Sequence, residues 1–431
     1  MKADILSDDS ASTSPFNRSA QHDAKRIAIL SQAARLFNYK GSRATTLHDV
    51  ADSLGLTKTS LYYYVKSKDD LIYQCYMGAL ELHHADLDQI EKRHAGAMKR
   101  ISTYFLQHFE NWLAAQEGKG LHIAALLEIA ALKGTQRKRV EASYIRLFKR
   151  LREYIRQGIT EGSIRPCEPT STTRAIVGSV DWTFSWLHSI PREKVRTIAN
   201  EALDIITNGI CGGGVPHSPL KIFHEKKESV RPEDFNREAK NRLKQEAFFK
   251  TGTRFFNTQG FTGTSLDEIA EHLHVSKGAF YYHIKNKEDL LFHCYSLSLD
   301  IIEGIHTQSP QLAGTGLEKA ELTCRRVFYV QNSDEGPLIR YNTITALPME
   351  RRRQILKRTD KNNVDFGAFL NEGIKDGSVR PINTLIAQHL ITGARNAAMD
   401  IKRWRKVDSI DDAAIDYFDV FFNGLRPRKN G

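Results

Sequence analysis

The chain has 431 residues, room for two to four domains, and its 41% apolar and 26% charged content is that of a globular protein able to build sizeable cores. A formal charge of +11, from 62 Lys and Arg against 51 Asp and Glu, favours polyanions such as nucleic acid or an anionic membrane surface without choosing between them. No apolar run nears the ~20 residues of a membrane span, and Cys75, Cys167, Cys211, Cys294 and Cys324 form no C-x-x-C pair, so neither a membrane helix, a zinc site nor a disulfide framework is expected.

Residues 1–20 are rich in Ser, Asp and Ala without an apolar stretch, which predicts a flexible tail and no secretion signal. A cytoplasmic location is the default expectation. Past the tail the chain repeats itself: Leu36–Tyr76 aligns without gaps onto Phe255–Tyr295 at an offset of 219, with 16 of 41 positions identical. Further on, Gly158-x-x-x-Gly162-Ser163-Ile164-Arg165-Pro166 matches Gly373-x-x-x-Gly377-Ser378-Val379-Arg380-Pro381 at an offset of 215, and Gly178 falls on Gly393. The whole unit is duplicated, and its first part has diverged less than its second.

In each copy the spacing predicts three short helices and then a longer body. Ile27, Leu30, Ala33, Ala34 and Phe37 recur at helical intervals before Gly41; Phe249, Gly252 and Phe256 before Gly260 are their counterparts. Thr46 opens a second helix with Leu47, Val50, Ala51 and Leu54 on one face, and in the copy Ser265 with Glu268 predicts a capping box. Gly55-Leu56-Thr57 then turns into a third helix capped by Thr57, as Val275-Ser276 does in the copy, where His274 stands in place of Gly55 and predicts a slightly strained turn. Two short helices joined by such a turn make a helix-turn-helix, whose second helix enters the major groove.

Leu61 and Val65 anchor this third helix in the first copy, Phe280 and Ile284 in the second. That leaves Lys58, Thr59, Ser60, Tyr62, Tyr63 and Tyr64, and in the copy Lys277, Gly278, Ala279, Tyr281, Tyr282 and His283, facing outward. Tyrosine hydroxyls and lysines suit phosphates, while Lys58, Thr59 and Ser60 suit base edges. Together with the cap residues Thr46, Thr57, Ser265 and Ser276, these form the expected DNA-contacting set. A fourth helix opens at Ser67-Lys68-Asp69-Asp70-Leu71 and at Asn286-Lys287-Glu288-Asp289-Leu290, where Lys68 and Lys287 beside free backbone N–H groups offer a phosphate clamp.

The strings Thr46-Leu47-x-x-Val50-Ala51 and Leu61-Tyr62-Tyr63-Tyr64-Val65-Lys66-Ser67-Lys68-Asp69-Asp70-Leu71, with their copies, closely resemble the signature of the TetR family of repressors. The resemblance implies an all-α fold in which each three-helix head precedes about six helices forming a ligand pocket and a two-helix pairing face. It is consistent with Val140, Tyr144, Leu147, Phe148, Leu151 and Ile155, which predict a long amphipathic helix. The expected organisation is a tail (1–20), a first head (21–66), a first body (67–211), a polar linker (212–234), a second head (235–285) and a second body (286–431). Pairing helices are expected at 171–188, 192–210, 383–402 and 410–424.

Family members typically carry one unit and homodimerise on a palindromic operator. Here one chain is able to pair its own halves, with two chains and four heads as the alternative. Heads ~34 Å apart meet successive major grooves, and because Thr59, Ser60 and Tyr64 face Gly278, Ala279 and His283 across the repeat, an imperfect palindrome of double-stranded DNA is the expected partner. The effector implied by the resemblance is an apolar or amphipathic small molecule, for which Phe105, Phe109, Trp112, Trp182, Phe184 and Trp186 are candidate lining residues, although each also suits plain core packing. Ala397 and Ile401 replace Trp182 and Trp186 in the copy, so the bodies are not expected to share a ligand. Arg351, Arg352 and Arg353 read as a solvated helix face. Neither cofactor nor metal is expected, and no phosphate-binding glycine loop, nucleophile elbow or H-E-x-x-H pair points to an enzyme. The competing reading is a helical binding or scaffold protein in which one or both heads no longer read DNA.

Overall fold

The computed structural model describes residues 15–213, 217–220 and 237–428, and in them every regular element is helical. The first unit runs α1 (Pro15–Lys40), α2 (Leu47–Ser53), α3 (Lys58–Tyr62), α4 (Lys68–Arg93), α5 (Ala97–Gln116), α6 (Gly134–Thr160), α7 (Pro169–Asp181), α8 (Thr183–Trp186) and α9 (Val195–Asn208). The second runs α10 (Arg237–Gly263), α11 (Leu266–His272), α12 (Lys277–His283), α13 (Lys287–Gln308), α14 (Gly316–Asn332), α15 (Met349–Asp376), α16 (Thr384–Ala397) and α17 (Ile410–Asn423). Between α5 and α6, and again between α14 and α15, a six-residue 3-10 segment intervenes, Leu126–Ala131 and Tyr341–Ala346.

Three sequence expectations shift. Helix α1 already starts at Pro15, so the expected tail loses residues 15–20; residues 1–14 lie outside the described residues, as do 214–216 and 221–234 of the expected linker and 235–236 of the expected second head. Within α1 the buried stripe is Ile29, Ala33, Ala34 and Phe37, while Ile27 is exposed, because 29, 33 and 37 rather than 27 and 30 keep the four-residue step that faces α4. The pairing helix expected over 171–188 is divided at Trp182, where the hydroxyls of Thr183 and Ser185 donate to the carbonyls of Val180 and Trp182, each at 2.7 Å, and compete with the helical ladder. Of the linker, residues 217–220 lie on the second body: the His217 backbone N–H donates to Asn423 at 2.7 Å, and Arg325 donates to the Leu220 carbonyl at 2.8 Å.

The two bodies pack on each other through α7 and α16, with α9 and α17 beside them. Small residues let the backbones meet: a Cβ added at Gly178 would stand 2.5 Å from that of Ala397, and one at Gly393 would stand 2.4 Å from that of Trp182. Ser179 donates across to the Leu390 carbonyl at 2.8 Å, so the crossing leaves its hydroxyl satisfied. Around this crossing Ile176, Val177 and Val180 are buried with Ile386, Leu390 and Ile391, each worth ~1.5–3 kcal/mol when withdrawn from water.

The repeated Gly-x-x-x-Gly-Ser-x-Arg-Pro turns explain themselves at the edges of this seam. Arg165 donates to the Gly424 carbonyl at 2.7 Å and pairs with Asp419 of the second body; Arg380 donates to the Gly209 carbonyl at 2.6 Å and pairs with Asp204 of the first. The backbone repeats the exchange, Arg165 N–H to Leu425 and Arg380 N–H to Ile210, both at 2.9 Å. Residue i thus contacts residue j while the copy of j contacts the copy of i, the reciprocity of a two-fold interface built inside one chain.

Candidate nucleic-acid interface

Each head is held by its caps. Thr46 and Asp49 close a reciprocal capping box on α2, the Thr46 N–H donating to the Asp49 carboxylate at 2.7 Å and the Asp49 N–H to the Thr46 hydroxyl at 3.0 Å, which lowers the Asp49 pKa. In the second head the box expected from Ser265 and Glu268 is formed in one direction, the Ser265 hydroxyl accepting from the Glu268 N–H at 3.4 Å. Thr57 and Ser276 cap α3 and α12 by accepting from Ser60 and Ala279. These four hydroxyls are therefore engaged in holding helix ends, and their exposed or half-buried positions set the reading helices rather than leaving them as flexible arms.

Turn geometry separates the copies. Gly55 has φ 65° and His274 has φ 54°, so the second head carries a β-carbon where left-handed backbone favours glycine, as the sequence predicted. Beyond the turns Leu61 and Val65, and Phe280 and Ile284, are fully buried anchors. Lys58, Thr59, Lys277, Gly278 and Ala279 are exposed and Ser60 is half-buried. Tyr63 and Tyr282 project furthest, at 82% and 85% exposure, with Tyr62 and Tyr281 about half exposed. Tyr64 and His283 depart from the outward expectation. Both lie three residues past the anchors Leu61 and Phe280, on the face turned to the first helix; Tyr64 stacks on His22 with centroids 4.7 Å apart, and His283 leans on Phe248 at 5.8 Å.

Lys68 and Lys287 stand at the first positions of α4 and α13, whose N-caps Ser67 and Asn286 accept from Asp70 and Asp289. Each ammonium also ties down the chain just past the first helix's glycine, Gly41 or Gly260 (φ 69°, where α10 kinks), Lys68 donating to the Arg43 carbonyl at 2.8 Å and Lys287 to that of Phe261 at 3.1 Å. Burial and the neighbouring Arg43 hold the Lys287 pKa below its ordinary value. The heads touch here: the Arg43 guanidinium lies over the Phe261 ring at 3.9 Å and pairs with Glu288 at 3.2 Å.

The reading surfaces differ most at one exchange. His48 in the first head corresponds to Asp267 in the second. His48 pairs with Asp52 at 3.2 Å, whereas Asp267 takes Lys277 at 2.6 Å and the Tyr281 hydroxyl at 3.2 Å. That contact lowers the Asp267 pKa and raises that of Lys277. The second head presents its lysine already neutralised.

Sequence reasoning missed the joints between heads and bodies. Asn38 donates to the Ile123 carbonyl at 2.7 Å and accepts from the Ala125 N–H at 2.8 Å; Asn257, its copy, donates to the Leu338 carbonyl and accepts from the Arg340 N–H, both at 2.9 Å. The asparagine is identical in both copies, which is the signal that was available. Each first helix also ends against the opposite body, Gly41 beside Thr345 and Gly260 beside Ala131.

The candidate effector residues divide. Phe105 and Phe109 are fully buried core, and Trp112 is half-buried against the same core. Trp182 and Trp186 go to the seam between the bodies, where Trp182 meets Tyr341 edge-on at 5.2 Å and Trp186 stacks on His389 at 4.6 Å. Phe184 packs edge-on against His108 at 5.4 Å. Asp181, half-buried at the end of α7, has its carboxyl pushed up to about 7 by desolvation despite Arg174. Among the described residues no helix is long and apolar enough to cross a membrane.

Known proteins match this chain one unit at a time. The pattern of bacterial regulatory proteins of the tetR family matches twice, at 29–75 and 249–294, and that of the tetracyclin repressor-like C-terminal domain matches 108–210. The HTH-type transcriptional repressor KstR2 of Mycobacterium tuberculosis (strain ATCC 25618 / H37Rv) is 25% identical over 198 residues, covering 45% of this chain and 97% of its own. The transposon Tn10 TetC protein of Escherichia coli is 33% identical over 146 residues, 32% of this chain and 69% of its own. Among solved structures, AibR in complex with isovaleryl coenzyme A and operator DNA is 25% identical, covering 40% of this chain and 94% of its own, with a TM-score of 0.35. The chain belongs to the TetR family of DNA-binding transcriptional regulators and carries two of its units in tandem.

Proposed function

We propose that one chain acts as a complete repressor, its two heads taking the two halves of an imperfect palindromic operator and a small-molecule effector in a body lowering operator affinity. The observation that carries this reading is the reciprocal seam: α7 with α16, and Arg165 and Arg380 exchanged between bodies, occupy within one chain the pairing faces that two chains would otherwise supply. In its favour for DNA are the exposed tyrosine pairs, Lys58 with Thr59, and the two lysines at helix starts. Effector control draws support from the joints, since Asn38 and Asn257 fasten each head to the segment leading into its body's 3-10 turn, so displacing that segment moves the head. AibR, solved with both a coenzyme A thioester and operator DNA, is a relative in which both partners occur.

The test is a footprint on the DNA upstream of the chain's own gene, with particle mass measured on the same complex. A protected imperfect palindrome about two major grooves long with one chain bound is the expected result. Two chains would replace the one-chain repressor with a four-headed assembly, and absence of sequence-selective protection would overturn the reading in favour of a scaffold.

A further inference from the structure

Comparison of the two bodies through the repeat isolates three positions. His306, Asn362 and Arg395 of the second body stand, at the offsets of 219 and 215, where the first body has Leu87, Leu147 and Val180. All three of the latter are buried core. Their polar counterparts are equally buried, each more than nine-tenths covered, yet both ring nitrogens of His306, both amide atoms of Asn362 and Nη1 of Arg395 have no hydrogen-bond partner. An unpaired buried amide or guanidinium costs more than any of the apolar residues it replaces, so a fold that puts three of them in one place needs something to satisfy them.

They do share one place. Arg395, on α16, lies over the Phe366 ring at 4.8 Å, and the His306 ring, on α13, is 6.5 Å from Phe366 and 6.3 Å from Phe369. Asn362 is one turn before Phe366 on α15. His306 also forms part of the wall of a solvent-open cleft of about 270 Å³ between α13 and α15, shared with Glu303, Lys361, Asp365 and Phe369. Among the described residues no carboxylate pairs with Arg395; its one hydrogen bond goes to the Thr392 hydroxyl at 3.1 Å.

We propose that His306, Asn362 and Arg395 form a binding site in the second body for an organic monocarboxylate, with the carboxylate on Arg395 and Asn362 and its hydrocarbon part against Phe366 and Phe369. One planar guanidinium beside one amide N–H₂ matches the two oxygens of a carboxylate, and a single buried cation balances one negative charge where a phosphate dianion would bring two. The first body, with Leu87, Leu147 and Val180, has no such site, so the duplicated halves differ in what they hold. The inference deepens the effector half of the proposed function, and it is read on DNA-free protein, so its failure leaves the operator reading standing.

The experiment titrates octanoate and 1-octanol into the full chain by calorimetry, beside Arg395→Val and Asn362→Leu, each of which installs the first body's own residue and should fold at least as well as the parent. Octanoate should bind about 10-fold or more tightly than 1-octanol, and Arg395→Val should weaken octanoate by about 10- to 100-fold while leaving 1-octanol unchanged. Arg395→Lys should recover part of the loss. Failure of octanoate to bind, equal affinity for octanoate and 1-octanol, or undiminished octanoate binding by both Arg395→Val and Asn362→Leu would overturn the proposal.

Discussion

His48 of the first head and Asp267 of the second occupy one position in the repeat, and their neighbours answer differently: Lys277 and Tyr281 turn to Asp267, while the Lys58 ammonium lies over the Tyr62 ring at 6.0 Å. The seam between the bodies shows the opposite pattern. There the sequences have drifted further, yet Arg165 and Arg380, Asp204 and Asp419, and Gly178 and Gly393 keep equivalent jobs. Overall identity is thus a poor guide to equivalence: the more similar regions differ in the charge their third helices present, and the less similar ones agree where backbones must mate.

The seam is the harsher place to break that comparison. Gly393→Val would push a side chain into Trp182, which a close-packed crossing cannot absorb, at about 2–3 kcal/mol. We expect operator affinity to fall about 50-fold in fluorescence anisotropy with helical content unchanged in circular dichroism. Retained affinity would mean that the crossing does not set the heads. A smaller effect sharpens the contrast between the heads. Asp267→His should release Lys277, raise DNA affinity about 5- to 10-fold and steepen the salt dependence by about one unit, while His48→Asp should do the reverse in the first head. Equal responses of matched and random DNA would assign both residues to general charge rather than reading.

The smallest effect lies in the turns. His274→Gly should stabilise the second head by about 0.5 kcal/mol, the relief of positive φ being partly offset by the freedom glycine has when unfolded. Gly55→Ala should cost the first head about 1 kcal/mol, and because nothing lies within 4 Å of the added carbon, backbone conformation is the whole of that cost. Urea midpoints moving in the same direction in both variants would show that a β-carbon at positive φ does not set the stability of these turns.

Local chemistry was readable in the sequence because local spacing carries it. Caps at Thr46, Thr57, Ser67, Ser276 and Asn286, the anchors Leu61, Val65, Phe280 and Ile284, and the strained turn at His274 all depend on neighbours within a few residues. What escaped depends on partners far along the chain. Arg165 was visible as part of a repeated motif, but its partner Asp419 belongs to the other copy, and no pattern within one copy says that the contact crosses over. Trp182 and Trp186 had the composition of a pocket wall and were claimed by the seam for the same reason: Tyr341 and His389 approach them only after the bodies pair. Tyr64 was misplaced by less, since a five-residue helix gives too little length to fix the angle of its last turn.

Joining the halves by a covalent chain also changes how the protein answers to its own abundance. Two separate subunits below their dissociation constant lose about three quarters of their pairs when their number halves, because pairing goes as the square of concentration. In the one-chain repressor proposed above, the partner of α7 is α16 of the same molecule, so halving the number of chains halves the number of paired heads and does no more. A cell holding a handful of copies would meet a linear dose response with no assembly threshold.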